Sequence, residues 1–241
     1  MMTVDEPFYL GAYWGPRREP VGACAQRLAD CVARLGACSE LLRTWYEKAD
    51  RKADARHRPV VPAAEVLRKL MVAGVNRRDA NGSVIEELGF SVGLWNGDHK
   101  TSVGLSISCG GWTSVPEVMN AFNLDLPTPA EELGGQIYEL DTALAIMRVV
   151  VGAWEPDWAT LTSYRLADAV DAGPRKPIVG WITFLADRRE VPSRLPVAAR
   201  ESMAGQGTLL VAAERAGEVG SSRLREIARA LNEAGALIST P

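Results

Sequence analysis

Only two histidines, His57 and His99, occur in 241 residues, and the four cysteines, Cys24, Cys31, Cys38 and Cys109, include no C-x-x-C pair. So few soft ligands without metal-ligand spacing exclude the common zinc and iron–sulfur frameworks, and unpaired thiols in this pattern point to a reduced compartment. No metal or other cofactor is expected. Also missing is any run of 18 uncharged apolar residues, and the opening MMTVDEPFYL lacks a basic stretch followed by an apolar one. The expectation is therefore a cytoplasmic protein with no membrane contact. Neither charge dominates: 27 basic against 30 acidic side chains leave a formal charge of -3, which offers no global attraction to nucleic acid. The phosphate-binding G-x-x-x-x-G-K, the dinucleotide-binding G-x-G-x-x-G and the metalloprotease H-E-x-x-H are all absent.

What is present suits one folded unit. Hydrophobic residues make up 47% and charged residues 24%, an ordinary globular balance. The only linker-like stretch, Pro192 to Pro196, is too short to separate domains, so residues 1–241 read as a single α+β domain. Phe8 to Trp14 reads as a strand halted by Gly15-Pro16. Val21, Cys24, Leu28, Cys31, Val32 and Leu35 recur at helical spacing, with Gly36 as a terminator. Leu42 to Glu47 alternates like a strand, Ala49 to Arg58 reads as a charged connection, and a short helix runs from Pro62 at its first position to Gly74.

The clearest pattern lies in the centre. Phe90, Val92 and Leu94 alternate with Ser91, Gly93 and Trp95, and Val103, Leu105, Ile107 and Cys109 alternate with Ser102, Gly104, Ser106 and Ser108. Period two on both sides of Asn96-Gly97 predicts a hairpin with a loop longer than two residues, followed by a third strand from Glu117 to Leu124. A long helix is expected from Thr128-Pro129, with Thr128 and Glu131 in a capping box, through Leu133, Ile137, Leu140, Leu144 and Met147 to Val151. After a loop containing Trp154 to Trp158, the apolar runs Ile178 to Ala186 and Thr208 to Ala213 read as buried strands. A helix from Ser222 to Ala234 closes the chain. These elements predict an antiparallel-rich sheet with helices on one side.

One enzymatic motif matches: Gly89-Phe90-Ser91-Val92-Gly93 has the G-x-S-x-G form of a nucleophile elbow. An elbow needs a strained turn from strand to helix, whereas here strand alternation continues through Ser91 into a hairpin. His99 lies eight residues on, at the hairpin tip, and His57 precedes the serine, contrary to the usual chain order. Ser91 therefore reads as a small outward strand residue and the chain as a non-enzyme; a serine hydrolase or a small-ligand module stands as the alternative. The segment Trp154-Glu155-Pro156-Asp157-Trp158 is more suggestive, since indoles flanked by acids are what protein interfaces concentrate, although both rings folding back on the core is the plainer reading. Trp95, beside the hairpin turn, is the tryptophan whose exposure would require a partner.

Tyr9-Leu10-Gly11-Ala12-Tyr13-Trp14-Gly15-Pro16-Arg17 followed by an amphipathic helix, then Trp154 to Trp158, then Gly180-Trp181-Ile182-Thr183-Phe184-Leu185, together resemble the immunity protein 52 family of bacterial polymorphic-toxin systems. The resemblance implies a non-enzymatic antidote. It would bind a toxin encoded by an adjacent gene, often a restriction-endonuclease-like nuclease delivered by a secretion system such as type VI. An acidic, non-catalytic protein suits that role. The family carries no transferable binding residues, so chemistry alone nominates Trp95, Asp98, Trp154, Glu155, Asp157 and Trp158 as toxin contacts. A homodimer is left open.

Overall fold

The computed structural model describes residues 6–48, 58–115, 117–129, 132–170, 173 and 175–239. The chain is α+β, built on one antiparallel ten-stranded sheet. In chain order its strands are β1 (Phe8–Trp14), β2 (Trp45–Glu47), β3 (Pro59–Val60), β4 (Phe90–Trp95), β5 (Gly104–Cys109), β6 (Asn120–Asp125), β7 (Trp158–Ser163), β8 (Ile182–Ala186), β9 (Ala199–Met203) and β10 (Gly207–Val211). They lie side by side as β3-β2-β4-β5-β6-β1-β7-β8-β10-β9. The helices are α1 (Val21–Cys38), α2 (Ala64–Ala73), α3 (Glu132–Ile137), α4 (Leu140–Trp154), α5 (Tyr164–Val170) and α6 (Ser221–Glu233).

Paired residues share a face, so the register sorts the sheet into two sides. On the first side, Val92 and Leu94 of β4, Leu105 and Ile107 of β5, Phe122 and Leu124 of β6, and Leu10 and Ala12 of β1 form one apolar layer continuous with Leu161, Ile182, Phe184 and Leu209. Helix α1 packs on α2 and α4, and α4 packs on β1 and β7 to cover this layer. The second side differs along the sheet. Ser91, Gly93, Ser106, Ala121 and Asn123 are only half-buried and Ser108 is exposed, whereas Thr160, Thr162, Thr183, Leu185 and Leu210 are buried. There the Gly180 segment lies against β7, and Tyr164 at the start of α5 meets Tyr9 of β1 with ring centroids 4.8 Å apart. A Cβ at Gly180 would collide with Thr160 and the Leu161 carbonyl, which is why the chain has glycine where it crosses the sheet so closely.

Several expectations are corrected. The sheet is not covered on one side only, because α5, α6 and the Gly180 segment close the second side of its C-terminal half. The long helix divides into α3 and α4: Tyr138 leaves the helix, and its hydroxyl donates to the Pro127 carbonyl at 2.6 Å while accepting from the Phe8 amide. The stretch from Leu42 to Glu47 is a 3-10 turn over Glu40–Leu42 and then the short β2. Helix α1 runs through Gly36 to Cys38, and Gly36 instead lets the Arg43 backbone approach. Pro62 precedes α2 rather than opening it, and Trp158 begins β7 rather than ending a loop. The capping-box Glu131, His57 and most of the charged connection lie outside the described residues.

Candidate interaction site

The segments that carry the family resemblance meet in space. Trp14 ends β1 and Trp154 ends α4, and their rings stack at 5.5 Å; Tyr13 stacks on Trp158 at 4.3 Å. The Asp157 amide donates to the Tyr13 carbonyl at 2.8 Å, and an Asp157 carboxylate oxygen accepts the Gly15 amide at 3.0 Å. Just past α4, Glu155 caps the helix in a left-handed conformation with φ of 47°. Arg17 and Arg27 donate to the Trp154 and Ala153 carbonyls, at 3.0 and 2.8 Å, placing cations where the helix leaves its carbonyls unpaired. The same two guanidiniums lie over the Trp14 and Trp154 rings and pair with Glu19. Stacked pairs of this kind contribute about 0.5–1.5 kcal/mol beyond the area they bury.

This cluster decides the role of the nominated residues. Trp154 is fully buried, Trp158 is 3% exposed and Asp157 5%, so these three hold β1, α4 and β7 together and offer no contact area in this fold. Asp157 pairs with Arg188, and the Asp157 backbone carbonyl accepts from the buried Arg189, whose other donors reach the Ala236 and Ile238 carbonyls and tie down the C-terminal segment. Glu155 is the exposed member, 3.6 Å from Arg27 and 3.9 Å from Arg17. Trp95 is also buried, at 5%, because its indole nitrogen donates to Ser102 and its ring meets Tyr46 and His99. Asp98 is exposed at the hairpin tip, where its carboxylate accepts the Lys100 and Thr101 amides. The six residues do not converge: Trp95 and Asp98 lie at one end of the strands, and Trp154 to Trp158 at the other.

Ser91 sits within β4, and its hydroxyl donates to the Gly74 carbonyl at 2.7 Å. The strand runs straight on through the motif, so the geometry is not that of a nucleophile elbow, and His99 lies past the opposite end of β4. Among the described residues, no group of three or more His, Cys, Asp or Glu side chains is placed to hold a metal ion. A cavity of about 200 Å³ beside Pro16, Leu88, Gly111 and Asn120 is smaller than ordinary ligand sites, and a larger hollow of about 490 Å³ beside Arg34, Cys38, Asp141 and Val149 is an open groove between α1 and α4.

Two features escaped the sequence. Asn120, 4% exposed, donates to the Gly15 and Gly111 carbonyls and accepts the Gly111 amide, joining the ends of β1, β5 and β6. A lone Asn at a strand start gives no linear sign of this. The other is the half-exposed side of β4, β5 and β6, rimmed by Tyr13 and Tyr164. Tyr13 donates to Asn123 at 3.0 Å, and its hydroxyl is pushed up to about 12 by burial first and then by Tyr164 and Asp125. Burial, Tyr13, Tyr164 and Asp168 raise Tyr9 as well.

No helix among the described residues is long and apolar enough to cross a membrane. No curated protein matches the sequence. Among solved structures, the T6SS protein PA0821 of Pseudomonas aeruginosa has a similar fold, with a TM-score of 0.54 at 13% identity over 94% of this chain and 75% of that one. Residues 6–239 match the family described as Immunity protein 52. With nearly its whole length matched, and with the resembling segments packed into one structural cluster, the chain belongs to the Immunity protein 52 family.

Proposed function

We propose that this protein is a non-catalytic antidote that binds a cognate toxin, encoded by an adjacent gene, and silences it by stoichiometric complex formation in the cytoplasm. The family match over residues 6–239 carries the reading. The similarity of fold to a T6SS protein supports a toxin delivered by type VI secretion. A restriction-endonuclease-like nuclease is the toxin class we infer, as the family resemblance implies, and a mildly acidic chain with a formal charge of -3 is compatible with covering a basic nuclease cleft. The whole chain acts as one domain, with no nucleic acid or membrane as partner.

Of the residues nominated for contact, Glu155 and Asp98 reach the surface, at opposite ends of the strands, while Trp95, Trp154, Asp157 and Trp158 act by holding the fold around them. Co-expression with the adjacent gene's product tests the function. Restored growth together with a complex that survives co-purification is expected. Undiminished toxicity with no complex would overturn the proposal.

A further inference from the structure

We propose that the half-exposed side of β4, β5 and β6, rimmed by Tyr13 and Tyr164, is the docking surface, and that it receives a lysine- or arginine-bearing surface of the partner; this rests on the toxin-binding reading above. The floor is built from Gly93, Gly104, Ser106, Ser108, Ala121 and Asn123, the outward members of the alternating strands. The short side chains of Ser106, Ser108, Ala121 and Asn123 let a partner approach β5 and β6 closely, while the Lys48 side chain lies over Gly93 and Gly104. The outward residues of β4, β5 and β6 are half-buried or exposed, apart from the buried Trp95, whereas Tyr9 and Gly11 of β1 are buried.

Chemistry names the occupant. Tyr164 is 63% exposed, and tyrosine supplies large contact area with a polar tip at little entropic cost. Asp168 stands one turn along α5 from Tyr164, and Asp125 lies at the end of β6; both are exposed, and neither has a salt bridge among the described residues. Lys48 offsets Asp125, whereas no cation among the described residues pairs with Asp168. Arg165 is committed to Glu6 at 2.7 Å, and Lys48 lies along Gly93 and Gly104 toward Asp125, leaving the Tyr164 and Asp168 end acidic. An acidic, tyrosine-rimmed, flat face complements a basic one, and opposite fields of this kind steer association and fix orientation.

The test uses the full chain and a catalytically disabled form of the adjacent toxin, with affinity measured by calorimetry. Tyr164→Ala with Asp168→Lys is expected to weaken binding about 30-fold or more, the size of a lost hot spot. Ser106→Lys, which places bulk and positive charge on the floor, should do the same independently of α5. Asp30→Lys, exposed on α1 on the other side of the sheet, should bind like the parent. Thermal melts confirm that each variant folds. Tight binding by the parent and undiminished binding by both face variants would overturn this inference while leaving the antidote function intact. No binding by the parent would remove both. A parent dimer that the face variants convert to monomer would give the surface to a second copy and equally overturn the proposal.

Discussion

The two halves of the sheet solve burial differently. In β4, β5 and β6, apolar residues alternate with glycine, serine, alanine and asparagine, and apart from Asn120 every residue these strands bury is apolar. In β7 all six residues are buried, and in β8 all five, because α4 covers one side while α5, α6 and the Gly180 segment close the other. A strand with one wet side can spend its outward residues on recognition, whereas a strand between two layers cannot. The C-terminal half is thus the scaffold, and the N-terminal half presents a surface.

The contrast can be broken by putting the same charge into each half. Leu185→Lys places an ammonium in the closed layer of β8, where the side chain is fully buried. The cost should exceed about 4 kcal/mol and abolish cooperative unfolding in urea. An intermediate loss comes from the joint between the halves. Asp157→Ala removes the acceptor of the Gly15 amide and the partner of Arg188, and should cost about 2–3 kcal/mol, read as a lower urea midpoint with unchanged slope.

A smaller effect is set by pH. The Tyr13 hydroxyl titrates at about 12 in the folded chain, above the ordinary 10 of an unfolded one. Between these values the unfolded chain has released a proton that the folded chain keeps, so stability is full below pH 10 and falls as pH rises toward 12. Tyr13→Phe should flatten that decline, measured as melting temperature against pH. Smallest of all is Ser106→Lys on the open side, which should change stability by no more than about 0.5 kcal/mol. A tolerated Leu185→Lys, or a Ser106→Lys that unfolds, would erase the distinction between the halves.

How much of this was legible follows from the same physics. The strict alternation from Phe90 to Cys109 announced the hairpin, and the spacing of Leu224, Ile227 and Leu231 announced α6, because each element has one wet side. Strand β7 was hidden because Trp-Ala-Thr-Leu-Thr-Ser carries hydroxyls on a side that another layer covers, and no period marks such a strand. Strand β9, an edge of mostly exposed residues, gave no apolar pattern at all. The indoles of Trp154 and Trp158 looked equally suited to an interface or a core, since only the partners Trp14 and Tyr13, more than a hundred residues away in sequence, settle their burial. The open face was invisible for a further reason: Tyr13, Ser106, Asn123 and Tyr164 become neighbours only through the pairing register and strand order.

The most direct test of the central claim is a titration of the toxin's activity with this protein at concentrations far above the dissociation constant. Stoichiometric inhibition predicts a linear fall that ends sharply at a fixed equivalence point, reached at once and independent of incubation time. Activity lost progressively at a small fraction of one equivalent would mean that the antidote turns over, and would contradict a binding mechanism.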